Sequence, residues 1–129
     1  RTAEAIKELQ QAKAYEAKIT GGNSKVAAEI NRKLADMYYV QGIEPFLAGR
    51  LPEAYKSFKA ALGHAPDHGP SLRKMEDLAG KAKTEFEAGY TLKELDSAKA
   101  REHWQLVLQI VPSSNEYYRK AKQWLDTLP

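Results

Sequence analysis

A few groups of side chains in this sequence have types and spacings that could do chemistry. His64 and His68 flank Asp67, three residues able to ligate a metal within one short stretch. Two histidines four positions apart share an ion only on an unbroken helix, and Pro66 between them interrupts any helix. Zinc needs a third and a fourth ligand as well, and the chain has no cysteine to supply them. We expect no metal site. Carboxylates come in pairs, Glu85 with Glu87 and Glu94 with Asp96. Neither pair stands among residues that would desolvate it and raise a pKa toward general-acid use. His103 reads as a surface residue beside Trp104. Gly21-Gly22-Asn23 ahead of a helical stretch could offer amides to an anion, although a plain turn followed by a cap explains it as well. The sequence contains no nucleophile elbow, phosphate loop or dinucleotide fingerprint. The expectation is therefore no catalytic residue, no enzyme activity and no cofactor.

Composition narrows the remaining classes. The chain has 129 residues, one domain's worth, long enough to bury a core. Its 20 basic and 17 acidic residues leave a net charge of only +3. They are interleaved along the chain, as on solvated helix faces. A nucleic-acid binder concentrates its positive charge, so we expect no nucleic-acid partner; a pI near 9.0 keeps an anionic surface as the lesser alternative. No apolar run approaches the length of a membrane span, and we expect no membrane insertion. The absence of cysteine leaves the redox compartment open. Because the chain starts at Arg1 without an initiator Met, we read it as a piece of a longer protein.

The elements that would position these groups are all helical. Residues 2–19 are rich in Ala, Glu, Lys and Gln, with a thin stripe of Ile6, Leu9, Ala12 and Ile19. Gly21 and Gly22 break that helix, and Asn23 or Ser24 can cap the next. The second should run from about Lys25 toward Leu47, with a bend at Pro45 or an early end at Glu44. Pro52 fits the first turn of a third helix reaching His64. A long fourth helix is expected from about Gly69 to Glu94, capped by Asp67. The fifth starts after Asp96 and stops by Pro112. Ser113 and Glu116 read as a capping box for the last. No segment alternates with period two, so no strand is expected and the fold class is all-α, with about six helices.

One stretch gives the elements an order. From Tyr38 to Pro66, Gly42, Ala54, Phe58, Ala61 and Pro66 follow one another at intervals of 12, 4, 3 and 5 residues. Small residues at 42 and 54 let two antiparallel helices approach, and Phe58 fills the space beside the contact. This spacing resembles a tetratricopeptide repeat, with Tyr38 at its first aromatic position and Gly49-Arg50-Leu51 at its turn. Pro45 departs from it, standing where the repeat usually has tyrosine or leucine. The pattern recurs 46 residues later as Ala100, Trp104, Val107 and Pro112, and Gly42 finds Gly89 at 47. A tetratricopeptide unit has 34 residues, so the resemblance is to an array with extended helices, in units of about 1–22, 23–66 and 67–112 plus a terminal helix 113–129. HEAT-type helix pairs have nearly this period but lack the glycine–alanine–aromatic spacing.

The resemblance implies an α-solenoid that binds a protein or peptide in the concave groove formed by its first helices. Counted from the two glycines, that groove falls on Asp36, Tyr39, Ile43, Phe46 and Leu47 and on Lys83, Phe86, Tyr90, Lys93 and Glu94, with Lys83 and Lys93 at the rim to favour an acidic flank. We read the chain as a protein–protein interaction scaffold in a larger bacterial protein. The rival is a spacer or homo-oligomer whose aromatic face is covered by its own helices or by a second copy.

Overall fold

The computed structural model describes residues 1–128 and contains six helices and, among these residues, no strand: α1 (Thr2–Thr20), α2 (Lys25–Leu47), α3 (Leu51–His64), α4 (Gly69–Leu92), α5 (Ser97–Ile110) and α6 (Glu116–Thr127). The chain is all-α, and its helix ends fall where local chemistry places them. The Ser24 side chain accepts a hydrogen bond from the Ala27 amide at 3.0 Å and so caps α2. The same hydroxyl donates to Glu16, to which Thr20 also donates at 2.6 Å. The Ser24 bond first and the Thr20 bond second hold the Glu16 carboxyl below its usual range. Asp96 caps α5 through the Lys99 amide, at 3.1 Å.

α2 reaches Leu47 as expected, passing through Pro45 rather than ending early at Glu44, while two other helix ends differ from expectation. Pro45 falls within the last turn, so the helix continues only briefly past its missing amide. That end is then closed from outside: the Gly49 amide donates to Phe46 O at 3.2 Å and the Arg50 amide to Pro45 O at 2.8 Å. This is the Schellman pairing, and it needs the positive φ of 82° that Gly49 adopts without a steric penalty. The cap of α6 is Asn115, whose side chain accepts from the Tyr117 amide at 2.8 Å, and not Ser113. A turn in which the Asn115 amide donates to Pro112 O carries Ser113 past out of register. α4 ends at Leu92 rather than Glu94, because the amides of Leu95 and Asp96 both turn back onto the Leu92 carbonyl.

The chain forms two compact units, Arg1–Arg73 and from Lys74 onward, with the boundary inside α4 rather than in a loop. In the first unit α2 packs on both α1 and α3. Its interior is built from Leu34, Ala35, Ala54, Phe58 and Ala61, all fully buried. In the second, Ala82, Ala100, Trp104, Val107 and Ala121 are fully buried, from α4, α5 and α6. Alanines at the helix contacts let one large ring per unit fill the centre. Burial of such a ring contributes about 1.5–3 kcal/mol.

Candidate functional site

Each unit contains the same close contact. An alanine Cβ at Gly42 would lie 2.7 Å from Phe58 Cε1, and one at Gly89 would lie 2.5 Å from Trp104 Nε1. Both glycines therefore stand where any side chain would collide with an aromatic ring from the following helix. The Trp104 ring is also held by its indole N–H, which donates to the Phe86 carbonyl at 3.1 Å.

The candidate groove residues separate into different fates. Tyr39 and Phe46 are half-buried, leaning on Phe58 at centroid distances of 5.7 and 6.1 Å. Ile43 is also half-buried but lines an open depression of about 790 Å³ with Val40, Glu44, Leu47, Ala48 and Arg50. Phe86 is only 8% exposed. It packs against Trp104 at 6.3 Å and Tyr117 at 5.7 Å. It is a core residue, which corrects its reading as a groove-lining aromatic: its ring is taken up by its own unit. Tyr90 remains 49% exposed. Lys83 is exposed, and its charge contributes, after Lys120 and Arg119, to lowering the Glu116 pKa. Lys93 is folded over the Tyr90 ring at 4.8 Å and does not project from a rim.

The apolar stripe of the first unit that reaches solvent is thus Val40, Ile43 and Leu47, of which Ile43 and Leu47 were expected in the groove and Val40 was not. Val40 is 50% and Leu47 77% exposed. Their spacing of i, i+3, i+7 was present in the sequence; counting from Gly42 by the offsets of the repeat selected Tyr39 in place of Val40. Arg50 closes one side, paired with Glu44 and, at 3.2 Å, with Glu53. These bonds, Glu44's first, raise its pKa further and hold the guanidinium in place.

His64 and His68 do not converge. His64 Nδ1 accepts from Lys13 Nζ at 3.0 Å, and its ring stacks on Tyr38 at 5.5 Å. Burial first and the Lys13 charge second push its pKa below 6.5. His68 instead bonds Asp36 at 2.8 Å and Ser71 at 2.7 Å. The carboxylate can only accept, so Nε2 donates; in the neutral ring Nδ1 then accepts from the Ser71 hydroxyl. Serine, histidine and carboxylate in a row suggest nucleophilic chemistry. However, Ser71 is 0% exposed and meets no substrate, so the row fastens the start of α4 to α2. Asp67, expected to cap α4, instead faces Arg32 at 3.6 Å. His103 bonds Glu85 and is only partly exposed. Among the described residues no group of three or more His, Cys, Asp or Glu gathers around a metal-sized space, and no helix is long and apolar enough to cross a membrane.

Comparisons of the chain with family models, with curated proteins and with solved structures gave no match.

Proposed function

We propose that the chain is a non-catalytic interaction module, a tetratricopeptide-like array of helix pairs that holds a protein or peptide segment and acts as an assembly or regulatory scaffold. The observation that supports this most is the recurrence of one packing device, Gly42 against Phe58 and Gly89 against Trp104, at sequence offsets of 47 and 46. Repeated supersecondary units reuse their packing residues at a fixed period. The docking face is the α2 stripe of Val40, Ile43 and Leu47, with Ile43 and Leu47 common to the groove expected from the repeat and the open depression. Apolar surface of this kind is disfavoured unless something covers it. An apolar side chain of the segment enters the depression, and its polar flank meets the fixed Glu44–Arg50 pair.

A random peptide library is panned on the protein and the selected peptides are measured by calorimetry against Val40→Asp and Leu47→Asp. Both positions are exposed, so circular dichroism should show an intact fold. An anchor loss of 2 kcal/mol or more corresponds to about a thirty-fold weaker affinity. Undiminished binding by both variants moves the docking face elsewhere. Concentration-dependent self-association that Leu47→Asp abolishes assigns this face to a second copy instead.

A further inference from the structure

Lys93, expected at a groove rim, instead lies over two aromatic rings. Its Nζ lies 4.8 Å from the centroid of the Tyr90 ring and 5.1 Å from that of Trp124. The two rings are 5.6 Å apart and nearly perpendicular, at 82°, so they form two adjoining walls of a box. The walls are set before any ligand arrives. Trp124 stacks on Trp104 at 5.7 Å, and Trp104 is fully buried with its indole N–H bonded to the Phe86 carbonyl. Phe86 also backs Tyr90, at 6.4 Å. The Glu94 carboxylate stands 3.6 Å from the ammonium and is itself largely in water. All these residues belong to the second unit.

The geometry points to a binding site for a methylated or quaternary ammonium on the faces of Tyr90 and Trp124, filled in the free protein by Lys93. Ring faces carry negative potential and attract a cation. A primary ammonium is compact and strongly hydrated, so seating it between rings sacrifices much of its hydration. A trimethylammonium group carries the same charge over a larger, weakly hydrated surface and adds methyl contacts to both rings. Lys93 is a poor permanent occupant because its long stem loses rotamer freedom there. Its ion pair with exposed Glu94 adds little to hold it. The lysine therefore acts as a displaceable plug, and Glu94 remains to complement the incoming charge.

Choline chloride is titrated into the protein against matched sodium chloride, with tryptophan fluorescence and calorimetry as readouts. Its neutral isostere, 3,3-dimethyl-1-butanol, is the control for simple apolar contact. Saturable binding of choline is expected, with the alcohol much weaker. Lys93→Ala should bind choline about three-fold tighter or better, as removal of a competing cation–π contact requires. Tyr90→Leu should lose binding, and because Tyr90 is half exposed this variant keeps the test open if Trp124→Leu does not fold. A trimethyl-lysine peptide run beside choline separates the sources: tighter peptide binding assigns the cation to a modified protein tail, tighter choline binding to a free headgroup, and either upholds the site. Equal binding of choline and the alcohol, or no gain in Lys93→Ala, overturns the proposal.

Discussion

Replacing Gly89 with alanine would force a methyl group and an indole into the same space. The new Cβ would lie 2.5 Å from Trp104 Nε1 and 2.8 Å from Cδ1 and Cε2, well inside van der Waals contact. Trp104 is fully buried, so the ring cannot swing into solvent. Overpacking of this kind costs about 1–3 kcal/mol. The shift also strains the indole bond to the Phe86 carbonyl, and a buried N–H left unpaired costs about 1–3 kcal/mol more. Against this, alanine is better than glycine in a helix interior by about 1 kcal/mol. The expected net loss is about 1–5 kcal/mol, centred near 3. Gly42→Ala meets Phe58 Cε1 at 2.7 Å without a hydrogen bond at stake, so its net loss should be smaller, about 1 kcal/mol. Gly80→Ala is the control: it is exposed in the same helix as Gly89 with nothing within 4 Å of the new Cβ. It should stabilise by up to about 1 kcal/mol. Both tryptophans lie in the second unit, so guanidinium unfolding followed by fluorescence reads Gly89→Ala and Gly80→Ala there. Far-UV circular dichroism reads Gly42→Ala. A Gly89→Ala protein as stable as the parent, or a Gly80→Ala protein that loses as much, would refute the close-contact account.

Two further outcomes follow from local chemistry. Asn115→Ala should cost about 1 kcal/mol as a lost helix cap, while Ser113→Ala should leave the urea midpoint unchanged; the reverse order would restore Ser113 as the cap. His64 has a folded pKa below 6.5, so the unfolded chain binds its proton more readily. Its contribution to stability is complete above about pH 6.5 and is lost as pH falls through the folded pKa. Urea midpoints should therefore drop more between pH 7.5 and pH 5 in the parent than in His64→Gln, and equal drops would exclude His64 as the source.

The helices, their order and most of their ends could be read along the chain, because those features are governed by residues a few positions apart. Gly21 and Gly22, Gly49, Pro66, Asp96 and Pro112 punctuate the sequence, and the observed helices fall between them. The burial of Ala54, Phe58, Ala100 and Trp104 was legible as well. Small residues at helix spacing beside one large ring have few other uses. Where a local signal had two solutions, the tertiary structure chose. The Ser113–Glu116 spacing is a valid capping box, yet the turn after Pro112 brought Asn115 to the cap instead.

What an exposed side chain meets was not legible in this way. Successive residues on a helix are separated by about 100°, so a small rotation of α2 against α3 decides whether Tyr39 or Val40 faces water. That rotation is set by Gly42 and Phe58, 16 positions apart. His64 and His68 are four apart in sequence, but one meets Lys13 and the other Asp36, 51 and 32 positions away. Tyr90 and Trp124 lie 34 positions apart, and only the packing of their two helices makes them adjoining walls around Lys93. Helix formation is settled within a turn or two of chain. Exposure and pairing depend on how whole helices cross, and the free energy of that crossing is spread over contacts between distant residues.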